Sequence, residues 1–395
     1  MGEERKLSRR EFLRIAIGGA AGLLVGGAAG YFTGSTLTRK VLEAEIEDLR
    51  ERALLPAEKE VRVYNWSEYI HPYVLTLFKE EYEMETVVYD VYESNEELRA
   101  ALAAGKDKYY DVIFPSDSYI PEFVDQGWIM ELDFKKIPNF KFISDKFKNP
   151  PWDPENKYSV PYMWGSTGIG WLSNRIEEGV TDWNALFEEP YLSKYSKKIT
   201  MLCEPADTFG AAFKYLGYNY NDDLGLPHID EALELLKKQK PYVLKYADAT
   251  EYIPSLANED FWISLAWSGD VYVAMEDNEN VVYTIPQSGT NIWVDCMCIT
   301  KNAPHPDAAH AFINFMLRPE VMALNTAEVW YANPELEASQ ELVSEEILED
   351  PGIYPPEEVI EKCDLSRPYT SEELEILSNA WAELMAAPGV KVRRL

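Results

Sequence analysis

Five strand-like runs of this sequence end in, or are followed by, an aromatic residue, a carboxylate or both. The runs occupy positions 64–70, 113–124, 201–213, 264–280 and 286–299, and their 63 residues include no Lys, Arg or His. A carboxylate buried without a basic partner is costly, so it either takes up a proton or awaits a cation. Aromatic faces attract ammonium groups and also cover methylene groups. If the runs converge, their chemistry suits a small organic cation with an aliphatic stem.

Each of these side chains also has a purely structural interpretation. A single Trp in such a run is more often a core residue, and a single acid is more often a helix cap or part of a solvated loop. Only the five runs together favour a binding site. The candidate acids are Glu68, Asp117, Glu204, Asp207, Asp270 and Asp295. The candidate aromatic residues are Trp66, Tyr69, Trp267 and Trp293.

Strand-like and helix-like segments alternate from Val61 onward. The predicted strands include 61–64, 86–89 and 111–114, and a predicted helix covers 71–83. Ser94 and Glu97 have the spacing of a capping box and predict a helix that ends near Gly105. Strands separated by helices indicate an α/β fold, in which ligands bind at the carboxyl ends of the strands. A chain of 395 residues is long enough for two folded units.

The composition limits the classes of partner. Lys and Arg total 37 against 68 for Asp and Glu, which gives a formal net charge of -31. Such a surface repels nucleic acid and anionic lipid headgroups and attracts cations, although the charge taken alone more often reflects only solubility or adaptation to salt. The four cysteines and four histidines show no zinc-ligand spacing. We therefore expect no nucleic acid partner, no metal and no cofactor.

The first 59 residues read as an export and attachment segment. Ser8–Leu13 has the form of a twin-arginine signal, and an uncharged run from Ile15 to Phe32 follows it. We predict a signal or membrane anchor at 1–35 and a helical stalk or linker at 36–59. The alternative is a cleaved signal followed by a disordered leader. Either alternative predicts an extracytoplasmic protein.

From about Val61 to the late 380s, the chain resembles the spermidine/putrescine-binding proteins of ABC importers. The motifs that carry the resemblance are Tyr64–Tyr69, Tyr92–Glu96, Tyr110–Ser116, Tyr158–Thr167 and Phe312–Pro319. The resemblance implies a type II periplasmic-binding-protein fold, with a ligand cleft between two lobes. It places lobe 1 at 60–164 plus 291–332 and lobe 2 at 165–290 plus 333–390. It also implies a monomer that binds a polyamine and delivers it to a membrane permease.

The same resemblance assigns ligand-contacting residues by position. They are Trp66, Ser67, Glu68, Tyr69, Ser116, Asp117, Glu204, Asp207, Trp267, Asp270, Trp293, Asp295 and Tyr331. Ser118 stands where spermidine binders have a ligand-contacting tyrosine, and no glutamine near 364–369 matches one that they use. These departures leave the choice of polyamine open.

Two other functions fit some of the same residues. A sugar-binding protein also uses Trp faces and acids, but the five runs lack the Arg and Lys that often bind hydroxyl groups. A hydrolase could use Glu204 and Asp207 as acid and base. However, the sequence has no nucleophile elbow, HExxH or phosphate-binding loop, so we predict a binding protein and not an enzyme.

Overall fold

The computed structural model describes residues 56–221 and 228–388. These residues belong to one compact unit, Leu55–Leu395. The predicted signal or anchor at 1–35 lies outside the described residues, as does most of the predicted stalk at 36–59. Among the residues that are described, no helix is long and apolar enough to cross a membrane.

The described residues contain one mixed sheet of ten strands. In chain order, the strands are β1 (Glu60–Trp66), β2 (Thr86–Tyr92), β3 (Val112–Ile113), β4 (Ser159–Leu172), β5 (Ile199–Leu202), β6 (Val243–Ala247), β7 (Ile263–Trp267), β8 (Val281–Thr284), β9 (Asn291–Ile299) and β10 (Asp364–Leu365). Their order in the sheet is β2-β1-β3-β9-β4-β7-β5-β6, with β10 paired to β9 and β8 paired to β4. β1 is parallel to β2 and β3, and β5 is parallel to β6 and β7.

Strand β4 joins the two parallel parts of the sheet. Its residues from Ser159 to Ser166 pair antiparallel with β9. From Thr167 onward, the strand pairs antiparallel with β7 and β8 instead. Its 14 residues are almost all buried, so one continuous strand carries the core from one part of the sheet to the other.

Helices connect the strands, as the alternation predicts. They are α1 (Pro72–Glu81), α2 (Asn95–Ala103), α3 (Ile120–Asp125), α4 (Asn184–Phe187), α5 (Tyr191–Lys194), α6 (Pro205–Tyr215), α7 (His228–Gln239), α8 (Ala249–Ala257), α9 (Ser268–Asp277), α10 (Pro306–Met316), α11 (Pro319–Val329), α12 (Leu336–Ser339), α13 (Glu345–Leu348), α14 (Glu357–Ile360) and α15 (Ser371–Ala386). Short 3₁₀ helices cover Lys106–Lys108, Asp117–Tyr119, Phe134–Lys136, Pro138–Phe142, Asp145–Phe147 and Pro154–Asn156.

The predicted cap of helix α2 is present in part. The Ser94 side chain accepts a hydrogen bond from the backbone N–H of Glu97. The Glu97 carboxylate does not return to Ser94 and instead accepts one from the backbone N–H of Glu93. Gly105 follows the helix with a φ of +88°, a left-handed conformation that glycine adopts at no steric cost.

Candidate ligand-binding site

Twelve of the thirteen candidate residues line one cavity. The cavity and its opening to solvent together contain about 710 Å³ of space that no protein atom occupies. The twelve are Trp66, Ser67, Tyr69, Ser116, Asp117, Glu204, Asp207, Trp267, Asp270, Trp293, Asp295 and Tyr331. They come from widely separated parts of the chain, as convergence of the five runs predicts.

The sheet topology explains why these residues meet. Trp66 ends β1, and Ser116 follows the parallel strand β3. Trp267 ends β7, and Glu204 follows the parallel strand β5. The carboxyl ends of parallel strands lie at one edge of a sheet, which brings each pair together. β9 runs antiparallel between the two parts and contributes Trp293 and Asp295 from its centre.

Five acids of the cavity are buried, with between 1% and 8% of each residue exposed. We refer to Asp117, Glu204, Asp207, Asp270 and Asp295 as the five buried acids. None of the ion pairs between described residues includes any of them, and no Lys, Arg or His is among the residues that line the cavity. The described part of the cavity therefore holds several carboxyl groups and no compensating cation.

Neutral donors hold Asp295 and Asp117 in place. The Tyr69 hydroxyl donates to Asp295 Oδ2 over 2.8 Å, and the Ser116 hydroxyl donates to Oδ1 over 2.7 Å. Asp117 accepts from the backbone N–H groups of Ser118 and Val294 over 2.7 and 3.1 Å. These bonds fix both carboxyl groups without neutralising them.

Asp207 and Glu204 lie at the start of helix α6. Asp207 accepts from Thr167 Oγ1 over 2.6 Å, from Trp267 Nε1 over 2.8 Å and from the Tyr220 hydroxyl over 3.0 Å. Glu204 is the residue before the helix and accepts from the backbone N–H of Asn95 over 2.9 Å. The positive end of the helix dipole favours a negative charge at both positions.

Asp270 occupies the first turn of helix α9. The Tyr331 hydroxyl donates to its Oδ1 over 2.7 Å, and the Tyr252 hydroxyl donates to its Oδ2. The predicted aromatic wall residue Tyr331 is thus also a hydrogen-bond donor to a cavity acid.

Burial raises the pKa of each of the five acids. It raises the pKa of Asp117 to about 8, where the charge of Asp295 adds to the effect. It raises the pKa of Asp295 to about 7 and that of Asp270 to about 6, although their hydroxyl donors oppose the shift. The pKa of Glu204 is raised well above its usual range by burial and the charge of Asp207, and burial also raises the pKa of Asp207. Burial alone therefore favours protonated acids, and a bound cation would favour ionised ones.

Aromatic rings form the walls between these acids. The rings of Trp66 and Trp267 lie 5.7 Å apart, and those of Trp293 and Tyr331 lie 5.2 Å apart. Gly165 on β4 makes room for the second pair, because a Cβ there would lie 2.8 Å from the Trp293 ring and 2.9 Å from the Tyr331 ring. The cavity thus combines ring faces with carboxyl groups, as the sequence predicts.

Glu68 is the one candidate that the structure places outside the cavity lining. Its side chain is exposed, and its backbone has a φ of +51° in the turn that follows β1. That turn directs Ser67 and Tyr69 into the cavity and leaves the residue between them in solvent. The structure therefore does not bring Glu68 together with the other candidate acids, and its assignment to the ligand stays a prediction.

The cavity also contains residues that sequence reasoning did not assign to the site. They are Glu93, Asn95, Ser118, Tyr119, Ala206, Tyr220, Asn221, Ala249, Asn291, Ser366 and Tyr369. Glu93 and Asn95 lie in the motif Tyr92–Glu96, which could have drawn attention to them. Ser366 and Tyr369 lie in the segment 364–369, where no residue matches the ligand-contacting glutamine of the spermidine binders.

Comparison with known proteins places the chain in a family. Residues 78–353 match the family described as bacterial extracellular solute-binding protein. The putrescine-binding periplasmic protein SpuD of Pseudomonas aeruginosa is 35% identical over 366 residues, which cover 89% of this chain and 98% of SpuD. The putrescine-binding periplasmic protein PotF of Escherichia coli is 32% identical and aligns with 84% of this chain and 92% of PotF.

Comparison with a solved structure gives the same family as comparison with sequences. The spermidine/putrescine ABC transporter substrate-binding protein PotD of Streptococcus pneumoniae is 30% identical and superposes with a TM-score of 0.67, covering 83% of this chain and 99% of PotD. The α/β periplasmic-binding-protein fold and the resemblance predicted from the sequence are both confirmed. The chain belongs to the bacterial extracellular solute-binding proteins, in the group that includes the spermidine/putrescine-binding proteins.

Proposed function

We propose that this protein captures a linear polyamine outside the cytoplasm and delivers it to the permease of an ABC importer. The observation that carries the proposal is the cavity itself, in which five buried acids and aromatic faces lie together and no cationic side chain lines the described walls. The names of the relatives SpuD, PotF and PotD, which refer to putrescine or spermidine, support the same ligand class.

A polyamine matches this cavity group by group. Its ammonium groups would replace the missing cations at the acids, and its methylene groups would lie on the rings of Trp66, Trp267 and Trp293. Each ring face contributes roughly 0.5–2 kcal/mol to binding a cation. A neutral sugar would leave the buried carboxyl groups without a counter-charge, so binding it would be less favourable.

We infer that two lobes close on the ligand, with lobe 1 at 60–164 plus 291–332 and lobe 2 at 165–290 plus 333–390. The change of partner along β4, from β9 up to Ser166 to β7 and β8 from Thr167 onward, supports a boundary near residue 165. A ligand that contacts both lobes shifts the population toward the closed form. The closed monomer would then dock on the permease, and the cavity would bind its ligand without catalysing a reaction.

We also propose export through the twin-arginine pathway and retention at the membrane by an uncleaved amino-terminal segment. The basic pair Arg9-Arg10 and the uncharged run that follows it support both steps.

A thermal shift experiment tests the proposed ligand class. We expect putrescine, spermidine or spermine to raise the melting temperature, and butane-1,4-diol, which has the putrescine stem without its charges, to leave it unchanged. The reason is that only a cation stabilises the ionised acids. A panel of neutral sugars completes the control. Stabilisation by the diol or a sugar, with none from any polyamine, would contradict the proposal.

Fractionation of cells that produce the full chain tests the anchor. We expect the protein in the membrane pellet with residues 1–35 still attached, as amino-terminal sequencing would show. Substitution of Arg9 and Arg10 by Lys should abolish export, because twin-arginine signals depend on both residues. A soluble extracytoplasmic chain that begins after residue 32 would rule out the anchor and leave the export proposal standing.

A further inference from the structure

Asn95 lines the cavity between two of its acids and is absent from the residues that the family resemblance assigns to the ligand. It is the first residue of helix α2, directly after the capping residue Ser94, and only 3% of it is exposed. Its backbone N–H donates to Glu204 Oε2 over 2.9 Å. Its side chain bonds to Ser116, which in turn donates to Asp295. Asn95 therefore connects Glu204, which follows β5, with Asp295 at the centre of β9.

Two hydrogen bonds join the Asn95 side chain to Ser116, and together they fix the direction of each bond. The Ser116 backbone N–H can only donate, so the amide atom that it meets over 3.1 Å must be the oxygen Oδ1. The amide nitrogen Nδ2 then lies 3.0 Å from Ser116 Oγ, and since an amide nitrogen only donates, Oγ accepts this bond. The single proton of the hydroxyl must point elsewhere, and Asp295 Oδ1 lies 2.7 Å away.

A hydroxyl that is held as a donor favours the ionised form of Asp295. The carboxylate accepts from Ser116 at one oxygen and from Tyr69 at the other. Burial raises the pKa of Asp295 to about 7, and these two bonds oppose the shift. A proton bound to the acid could be accommodated if the Ser116 hydroxyl rotated and accepted it. The N–H of Asn95 occupies one of the two other positions to which the hydroxyl proton could turn, so it opposes this rotation.

The remaining groups that interact electrostatically with Asp295 are acidic or neutral. They are Tyr92, Tyr162, Asp117, Asp207 and Cys296. No Lys, Arg or His lines the described part of the cavity. Among the described groups, the two hydroxyl donors are therefore what favours a charged Asp295 before a ligand binds, and Asn95 fixes the orientation of one of them.

We propose that Asn95 is a positioning residue for polyamine binding: its amide holds the Ser116 hydroxyl as a donor to Asp295 and so keeps this carboxyl group ready for an ammonium group of the ligand. The inference rests on the proposed function. In it, Asn95 acts through Ser116 and not through a contact of its own with the ligand. Its effect should be the same for putrescine, spermidine and spermine, because each would place an ammonium group at Asp295.

Titration calorimetry at pH 6 and pH 8.5 tests the proposal on Asn95→Ala, which removes the amide and keeps the backbone bond to Glu204. We expect the dissociation constant of a polyamine to rise about fivefold to tenfold at pH 6 and by less than about threefold at pH 8.5. Without its fixed donor, Asp295 binds a proton more tightly, and that proton competes with the ligand only at low pH. A role in folding alone would lower the melting temperature and weaken binding equally at both pH values.

Asn314→Ala is the matched control. Asn314 is 8% exposed, its amide accepts from the backbone N–H of Asn139 over 2.9 Å, and it lies outside the cavity lining. We expect this variant to bind polyamines as the unaltered chain does at both pH values. A second comparison adds Asn95→Ala to Ser116→Ala. There it should change the affinity at pH 6 by less than about twofold, because the hydroxyl through which Asn95 acts is gone.

The other outcomes would overturn the inference. Unchanged affinity of a folded Asn95→Ala variant, or an equal loss at both pH values, would show that Asn95 does not act on the ionisation of Asp295. A loss that persists in the Ser116→Ala background would show that Asn95 contacts the ligand directly. If Asn95→Ala does not fold, Asn95→Ser takes its place, since its shorter side chain cannot make both bonds to Ser116. If the unaltered chain binds no polyamine, the proposed function fails as well.

Discussion

Replacement of Asp295 by Asn should weaken polyamine binding by about 30-fold or more while the protein remains folded. Removal of one partner from a buried, hydrogen-bonded charge pair costs about 2–5 kcal/mol, and about 1.4 kcal/mol corresponds to a factor of ten. Asp295 meets this condition because it is 5% exposed and is held from both sides by Tyr69 and Ser116. Asn has nearly the same shape as Asp, so the loss of affinity would be due to removal of the negative charge.

The exposed residue Asp277 provides a matched control, since Asp277→Asn makes the same change of charge at the far end of helix α9. We expect that variant to bind polyamines as the unaltered chain does. Circular dichroism and the ligand-free melting temperature would show that both variants are folded, with Asp295→Asn shifted by only a few degrees. Unchanged affinity in a folded Asp295→Asn variant would show that Asp295 is not a ligand contact.

The second large effect is that polyamine binding should weaken as the pH falls from 8 to 6. The cavity acids must lose their protons to bind a cation, and the pKa values of Asp295 and Asp117 in the empty protein are about 7 and about 8. Protonation of Asp295 alone should lower the affinity about tenfold over this range, because the ionised fraction of an acid falls about tenfold for each pH unit below its pKa. Protonation of Asp117 should lower the affinity further. The amines of the ligand stay charged throughout, since alkyl ammonium groups titrate near 10.

The stability of the ligand-free protein should change in the opposite direction. A carboxyl group whose pKa is higher in the folded than in the unfolded chain binds more protons when folded, so the free energy of unfolding falls as the pH rises through that window. For Asp270, Asp295 and Asp117 the window extends from about 4 in the unfolded chain to about 6, 7 and 8 in the folded protein. The melting temperature gained on adding a polyamine should therefore be larger at pH 8 than at pH 6.

Calorimetry in two buffers with different ionisation enthalpies measures how many protons the protein releases or takes up when the ligand binds. At pH 7 we expect protons to be released when a polyamine binds, because Asp117 and Asp295 change from partly protonated to ionised. Asp295→Asn should release fewer protons. Proton uptake, or affinity that does not change between pH 6 and pH 8, would show that these acids are already ionised without a ligand.

Much of the fold was predictable because strong local signals and tertiary packing agree. The predicted helix at 71–83 is α1 at Pro72–Glu81, and the predicted strand at 61–64 is the centre of β1. The Ser94 cap and Gly105 fix both ends of α2, as local chemistry requires. Candidate residues at strand ends were also predictable, because parallel strands of a sheet place their carboxyl ends together.

The exposed position of Glu68 was not predictable from spacing. Its neighbours in the motif enter the cavity, and only the positive φ of the turn directs this one side chain into solvent. Whether a residue of a loop motif points in or out depends on turn geometry, which residue types alone do not specify.

The contribution of the segment 364–369 was hidden for another reason. Its strand β10 has only two residues and pairs with β9 far away in the sequence. Such a strand shows no periodicity, yet it brings Ser366 and Tyr369 to the cavity. Glu93 was also missed, because an acid just before a capped helix resembles an ordinary loop residue until the three-dimensional structure places it beside Ser67.

The most direct test of the central claim is titration calorimetry of the full chain with putrescine, spermidine, spermine and a panel of neutral sugars at pH 8. Our account predicts that at least one polyamine binds with a dissociation constant in the micromolar range or below, and that the sugars produce no heat of binding. Saturable binding of a neutral sugar by a folded sample that ignores all three polyamines would contradict it.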